Sequence, residues 1–149
     1  MRLLPIVGLI LLAACAGPRS FSRLTPYPLA DAFSCAQREL VEMDYTVAFA
    51  DTVGGLLQGH REITGIREAT RRGAAAATEL ITVGLVGGKR TRFDELTIFV
   101  FTRRYPQGNT IEVTAGMLTV GEDWREQGSP TDVARKDARQ VLDRCAPWG

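Results

Sequence analysis

The segment between residues 95 and 120 restricts the possible folds most. Its first half is a run of β-branched and aromatic side chains that is apolar on both faces, Leu96-Thr97-Ile98-Phe99-Val100-Phe101. Such a run is typical of a central strand. In its second half, apolar and polar residues alternate, and the apolar ones are Ile111, Val113, Ala115 and Met117. This alternation predicts a return strand with one covered face, so the chain requires elements that cover an antiparallel sheet.

Two segments with helical periodicity are suited to cover that sheet. Residues 29–44 carry apolar side chains at helical spacing, Leu29, Phe33, Ala36, Leu40 and Met43. A closing helix is expected after Ser129, with Ser129 or Thr131 as the N-cap and Pro130 in the first turn. Its apolar face is formed by Ala134, Ala138, Val141 and Cys145. Both helices are therefore amphipathic.

Residues 45–63 predict a further hairpin. Tyr45, Val47 and Phe49 alternate with smaller residues, residues 51–55 supply turn chemistry, and residues 56–63 return. Two hairpins give a four-stranded antiparallel sheet, and the N- and C-terminal helices cover one of its faces. The predicted fold is thus an α+β two-layer sandwich, formed as a single domain by residues 29–149.

A long excursion is expected between the hairpins, at about residues 64–92. It is rich in alanine and arginine, and we expect it to be partly helical and mobile. Its basic side chains form a candidate contact for a partner or a membrane: Arg67, Arg71, Arg72, Lys89, Arg90 and Arg92. The alternative is a solvated loop that its arginines keep soluble.

The N-terminal residues have the pattern of a targeting segment. After Met1-Arg2 comes an apolar stretch of about 12 residues, too short to span roughly 30 Å of hydrocarbon and suited to the hydrophobic region of a secretory signal. We therefore assign residues 1–14 to a signal peptide. Residues 15–28 hold Pro18, Pro26 and Pro28, and they predict an extended tether.

The end of the apolar stretch, Leu12-Ala13-Ala14-Cys15, resembles the bacterial lipobox at every position. The resemblance implies cleavage before Cys15, a thioether-linked diacylglycerol on its sulfur, and an acylated amino terminus. Because Ala16 rather than an aspartate follows, it further implies the periplasmic face of the outer membrane. The alternative is an ordinary secretory signal with a cysteine nearby by chance.

The three cysteines can be divided by role. If Cys15 carries the lipid, Cys35 and Cys145 remain in an oxidising compartment, where two such cysteines usually pair. The closed loop would exceed 100 residues, for which loop entropy gives on the order of 4–5 kcal/mol. Two buried free thiols are the alternative.

The sequence contains no recognisable catalytic constellation. There is one histidine, His60, which indicates a surface or structural role more than a metal site. The adjacent acids Asp94-Glu95 and Glu122-Asp123 are expected to be solvated, since such pairs near strand ends usually are. Removing residues 1–14 leaves 17 basic against 17 acidic residues, and a neutral domain is a poor nucleic-acid binder. We therefore expect no enzyme activity, no cofactor, no metal and no nucleic-acid partner.

A second resemblance concerns the fold. A helix followed by Leu40-Val41-Glu42-Met43-Asp44-Tyr45-Thr46-Val47, then Asp51, Gly55 and Arg61, is similar to a pattern in small helix-on-sheet accessory lipoproteins of the outer membrane. Asp44 stands where glycine is commoner in that pattern. The expected function is a non-enzymatic interaction or structural module of the cell envelope, anchored through Cys15, with a possible envelope protein partner. The alternative is a lipoprotein that binds a lipid or small apolar ligand between sheet and helices.

Overall fold

The computed structural model describes residues 19–63, 90–103 and 108–147. These residues form six strands and two helices: β1 (Arg19–Thr25), α1 (Leu29–Glu42), β2 (Thr46–Asp51), β3 (Leu56–Glu62), β4 (Thr91–Arg103), β5 (Gly108–Val120), β6 (Arg125–Gly128) and α2 (Asp132–Cys145). The predicted signal peptide, Cys15 and residues 64–89 of the predicted excursion lie outside the described residues.

The described residues form an α+β fold with an antiparallel sheet and two helices, as the sequence predicts. The strand order is β1-β5-β4-β3-β2, and β6 also pairs with β5. Both predicted hairpins are present, and β4, which contains the apolar run of residues 96–101, lies in the middle of the sheet. The prediction of four strands is wrong, because the sheet has six.

The fifth strand comes from the segment predicted to be a tether. Arg19–Thr25 forms β1 and pairs with β5 from Arg19 opposite Ala115 to Thr25 opposite Asn109. The tether prediction is therefore wrong for these residues. Pro26 follows the strand directly and remains outside it, where it removes no hydrogen bond from the ladder. The strand shields an edge of β5 that would otherwise be unpaired.

The sixth strand comes from the polar stretch 121–129, between β5 and the closing helix. Arg125–Gly128 forms β6 and continues along the same edge of β5, with Gly128 opposite Met117 and Arg125 opposite Val120. The four residues of β6 include no apolar side chain, so no hydrophobic pattern marks them. Main-chain pairing with β5 defines this strand.

The two helices pack on the same face of the sheet, which we call the covered face. α1 contacts β2, β3 and β4, whereas α2 contacts β5, β1 and β4. The covered face contributes fully buried side chains to the core, namely Leu57, Leu96, Ile98, Ile111, Val113 and Ala115. The opposite side of the sheet, which neither α1 nor α2 covers, is the open face.

Each helix is delimited by local hydrogen bonding. Thr131 caps α2, since its hydroxyl accepts from the amide of Ala134 at 3.0 Å. α1 ends when Asp44 adopts a left-handed conformation with φ of 63°. The amide of Tyr45 then donates to the carbonyl of Leu40 at 2.9 Å, and the amide of Asp44 to that of Val41. This is a Schellman ending with aspartate where glycine is usual.

A disulfide joins the two helices through Cys35 and Cys145, whose Cα atoms lie 5.7 Å apart. Of the two alternatives for these cysteines, the structure contains the bridge. The bonded residues are separated by 110 positions, so the bond closes almost the whole described chain. A hydrogen bond also ties the end of β1 to the end of α2, because the hydroxyl of Thr25 donates to the carbonyl of Cys145 at 2.7 Å.

Candidate functional site

Two networks of side-chain hydrogen bonds surround two adjacent acids in β4, Asp94 and Glu95. Neighbouring strand residues point to opposite faces, so Asp94 lies on the covered face and Glu95 on the open face. Both are buried, at 3% and 6% exposure. The expectation that this pair is solvated is therefore wrong. It holds for the second pair, because Glu122 and Asp123 are exposed.

Each of the two acids has a basic partner on β3. Arg61 is opposite Asp94 in the strand register, and His60 is opposite Glu95. The dipeptide His60-Arg61 thus mirrors the dipeptide Asp94-Glu95 across two antiparallel strands. This pairing builds one polar cluster on each face of the sheet.

The cluster on the covered face is centred on Arg61. One guanidinium nitrogen, Nη2, donates to Asp94 at 2.9 Å, to Asp137 of α2 at 2.6 Å, and to the hydroxyl of Tyr45 at 3.1 Å. The other, Nη1, donates to the carbonyl of Met43 at 3.0 Å. The guanidinium carbon also lies 4.4 Å from the centre of the Tyr45 ring. Arg61 therefore ties the end of α1, the sheet and α2 together.

Asp94 and Asp137 each accept a further hydrogen bond within the same cluster. The hydroxyl of Thr131 donates to Asp94 at 2.6 Å while it caps α2. The hydroxyl of Tyr45 donates to Asp137 at 3.1 Å. The N-terminus of α2 is consequently fixed to the sheet by side-chain hydrogen bonds as well as by apolar packing.

Burial and charge perturb the titration of this cluster. Burial raises the pKa of Tyr45 well above its ordinary value, and the nearby Asp137 carboxylate raises it further, against the opposing effect of Arg61. For Arg61, burial by itself would lower the pKa, but the hydrogen bond to Asp94 and the proximity of Tyr45 and Asp137 outweigh it and raise the pKa. The neutral phenol and the charged guanidinium are both favoured, which suits a permanent structural cluster.

The cluster on the open face is smaller. The Nε2 atom of His60 lies 3.1 Å from one carboxylate oxygen of Glu95, and the side-chain amide of Gln127 on β6 donates to the other at 2.9 Å. The imidazole is about a quarter exposed, and the Phe93 ring lies 6.2 Å from it, centre to centre. Both oxygens of Glu95 are thus engaged, and the carboxylate orients the His60 ring.

An open cleft of about 510 Å³ adjoins His60 where β2 begins and β3 ends. Its lining consists of Asp44, Thr46, Ala48, His60, Arg61, Glu62 and Phe93. It presents an imidazole edge, a threonine hydroxyl, carboxylates and an aromatic face, groups that can hydrogen-bond a polar ligand. Within residues 19–63, 90–103 and 108–147, no group of three or more His, Cys, Asp or Glu could hold a metal ion.

The open face also carries exposed aromatic side chains. Phe49 on β2 and Phe99 on β4 are 49% and 42% exposed. The register places Phe49 opposite Gln58 and Phe99 opposite Leu56, so both flank the same segment of β3. We call Phe49, Leu56 and Phe99 the open-face apolar patch.

The residues singled out by sequence are only partly visible. Cys15, Arg67, Arg71, Arg72 and Lys89 lie outside the described residues. Arg90 is exposed, and its guanidinium lies 5.4 Å from the centre of the Trp124 ring. Arg92 belongs to β4, and its carbonyl accepts from the amide of Ile63 at 2.8 Å. Of the six basic residues of the candidate contact, the described structure therefore includes only Arg90 and Arg92, where β4 begins.

The sequence reasoning missed the Arg61 cluster altogether. Tyr45 and Asp137, which it brings together, are separated by 92 residues, and the sequence patterns that include Tyr45, Arg61 and Asp94 give no indication that these side chains meet. The available signal was the mirrored order of His60-Arg61 and Asp94-Glu95, which becomes informative only when β3 and β4 are paired in the correct register.

Comparison with known proteins gives no match, so a function has to be proposed from the fold and the two polar clusters. No helix within the described parts of the chain has the length and apolar character needed to cross a membrane. A scan against models of known protein families finds no match, and a search of curated proteins finds no relative.

Proposed function

We propose that the protein is a lipoprotein of the bacterial envelope, anchored through Cys15 to the periplasmic face of the outer membrane. The supporting observation is the use of its cysteines. The chain has three, and Cys35 and Cys145 are joined to each other. Cys15, at the end of Leu12-Ala13-Ala14-Cys15, is the one whose sulfur remains available for a lipid.

Within the envelope the protein acts as a non-enzymatic interaction module. Its two polar clusters support this role, since their charged groups are committed to one another: Arg61 to two aspartates and Glu95 to His60 and Gln127. The open-face apolar patch, in contrast, is formed by large side chains that leave much of their surface in water. Apolar surface of this kind commonly marks protein contacts.

Binding of a small apolar ligand between sheet and helices has less support. The space between these layers is filled by side chains with no exposure, among them Leu40, Leu57, Leu96 and Val141. The disulfide also restricts separation of α1 from α2. A ligand of this kind would have to displace packed core residues, at a cost of several kcal/mol for each large side chain moved.

Fatty-acid labelling of the full chain in a bacterial host tests the anchor. The wild type is expected to incorporate the label and to carry the mass of a diacylglycerol, whereas Cys15→Ser is expected to incorporate none. The matched control is the double variant Cys35→Ala/Cys145→Ala, which loses the bridge but should keep the label. Equal labelling of the wild type and Cys15→Ser would refute the assignment.

Site-specific photo-crosslinking in intact cells tests the contact surface. A photoreactive residue in place of Phe99 is expected to give a discrete adduct with an envelope protein. The control position is Gln37, which is exposed on α1 at the other side of the molecule. Equal adducts from both positions, or adducts from Gln37 alone, would argue against the open face.

A further inference from the structure

The two lateral edges of the domain differ in charge. β1 and α2 lie together at one edge and carry six basic residues: Arg19, Arg23, Arg135, Lys136, Arg139 and Arg144. Their acidic residues are three, Asp132, Asp137 and Asp143, and Asp137 is already paired with Arg61 in the interior. We call the surface formed by β1 and α2 the basic flank.

The opposite edge has the reverse balance. α1 and β2, with the turn between them, carry five acidic residues, Asp31, Glu39, Glu42, Asp44 and Asp51, of which Glu39 is buried and the other four are exposed. Their single basic residue is Arg38, which lies 3.8 Å from Glu42. The strand order places β2 at the edge opposite β1, about 19 Å away at the usual strand spacing. We call α1 and β2 the acidic flank.

Several cations of the basic flank are available to a partner. Arg23 pairs with Asp143 at 2.8 Å, and Arg135 pairs with Asp132. Exposed Arg19, Lys136 and Arg139 form no ion pair with the residues that the structure describes. The guanidinium of Arg139 lies 5.5 Å from the centre of the Phe21 ring on β1, which keeps it beside the strand.

The start of β1 determines how close this flank must remain to an anchor on Cys15. Arg19 is the first residue of the strand, and four residue steps from Cys15 to Arg19 reach at most about 14 Å. On the edge of β5 that pairs with β1, Arg19 lies opposite Ala115. The next part of that edge pairs with β6, since Gly128 lies opposite Met117. A lipid on Cys15 therefore keeps Arg19, at the start of the basic flank, within roughly two Debye lengths of the headgroups at physiological salt.

We infer that the basic flank of the lipidated protein lies against anionic phospholipid headgroups and that the acidic flank faces away from the membrane. The inference rests on the proposed lipid anchor and adds to it an orientation and a class of lipid. The anchor supplies proximity, and the uncompensated cations supply the attraction. Repulsion between headgroups and the acidic flank disfavours the opposite orientation.

The orientation can be measured with a fluorophore on a single added thiol, because all three native cysteines are engaged in the lipidated protein. Gln140→Cys places the fluorophore on α2, and Gln37→Cys places it on α1 as the matched control. Each lipidated protein is inserted into vesicles of phosphatidylethanolamine and phosphatidylglycerol that contain a nitroxide-headgroup lipid. Mass spectrometry of the same samples records whether the diacylglycerol is present.

Quenching is expected to be stronger at position 140 than at position 37, and to weaken when phosphatidylcholine replaces phosphatidylglycerol. Lys136→Gln and Arg139→Gln should each lower the ratio of membrane-facing to free orientations about fivefold. Arg38→Gln on α1 should leave the ratio unchanged. Equal quenching at both positions in lipidated protein would overturn the orientation alone, whereas absence of the diacylglycerol mass would overturn the anchor and the orientation with it.

Discussion

Asp94 and Glu95 are buried neighbours in one strand, but they face opposite sides of the sheet and have different partners. Asp94 is covered by two helices and is paired with a cation that also serves Asp137. Glu95 lies on the face without helices and is paired with an imidazole that is partly exposed. The sheet thus pairs the acid on the covered face with a guanidinium and the acid on the open face with a partly exposed imidazole.

The largest effect is expected from Arg61→Met, which leaves Asp94 and Asp137 buried without their cation. Breaking a buried ion pair by removing one partner typically destabilises a protein by about 3–5 kcal/mol. Urea unfolding at neutral pH measures the change. His60→Gln on the open face is the matched control, for which we expect less than about 1 kcal/mol, since partly exposed pairs contribute little. Similar losses from the two variants would contradict the distinction between the faces.

Isosteric neutralisation of the two acids is the next test. Asp94→Asn weakens hydrogen bonds from a guanidinium and from Thr131, and we expect it to lower the free energy of unfolding by about 2 kcal/mol. Glu95→Gln affects only His60 and Gln127, and should cost about 1 kcal/mol. Both are measured by denaturant titration under the same conditions. The reverse order would show that the open-face cluster is the more tightly integrated one.

A buried carboxylate outside the two clusters provides a change of the opposite sign. Glu39 on α1 is 2% exposed, and its Oε2 atom has no hydrogen-bond partner in the described structure. Replacing it with methionine, a flexible apolar residue, should stabilise the protein by about 1–2 kcal/mol. The change is read as an increase in the denaturation midpoint relative to wild type. Glu42→Met, at an exposed position of the same helix, serves as the control and should change stability little.

Tyr45→Phe is expected to change stability least at neutral pH and to have a separate effect on stability at alkaline pH. Its folded-state pKa lies above the ordinary value of 10.0, so the neutral phenol stabilises the fold fully below pH 10. Above that pH the unfolded chain loses the proton first, and stability falls by up to about 1.4 kcal/mol per pH unit. Tyr45→Phe should lower stability modestly at pH 7 and flatten this alkaline decline.

The alkaline decline is measured as the free energy of unfolding between pH 9 and pH 11. Tyr27→Phe is the control, because Tyr27 is exposed and should leave the slope as in the wild type. An unchanged slope in Tyr45→Phe would show that ionisation of this phenol is not coupled to unfolding.

The sequence was sufficient for the elements whose side-chain periodicity reflects their burial. The helical stripe that includes Phe33, Ala36 and Leu40 is buried as expected, and the alternating segment around Val113 forms β5. The strands without such a pattern were missed, because β6 is held by its main chain and β1 is a polar edge strand. Both strands are positioned by pairing with β5, and β5 lies far from β1 in the sequence.

The polar clusters could not be predicted for a different physical reason. β3 ends at Glu62 and β4 begins at Thr91, so no tight turn sets their register. A shift by one residue would place Asp94 and Glu95 on the wrong faces. The register that brings Arg61 to Asp94 is selected by the packed sheet as a whole, and the mirrored order of His60-Arg61 and Asp94-Glu95 fits this register but does not select it.

The disulfide and β1 also determine the order in which the fold can be completed during synthesis. β1 and α1 emerge first, but β1 waits for β5, and Cys35 has no partner until residue 145 has been made. A nascent chain that ends anywhere before α2 lacks the helix that packs beside α1 and leaves Cys35 without its partner. Oxidation to the native pairing is therefore a late event, and a truncated chain is a candidate for wrong disulfides and removal by proteases.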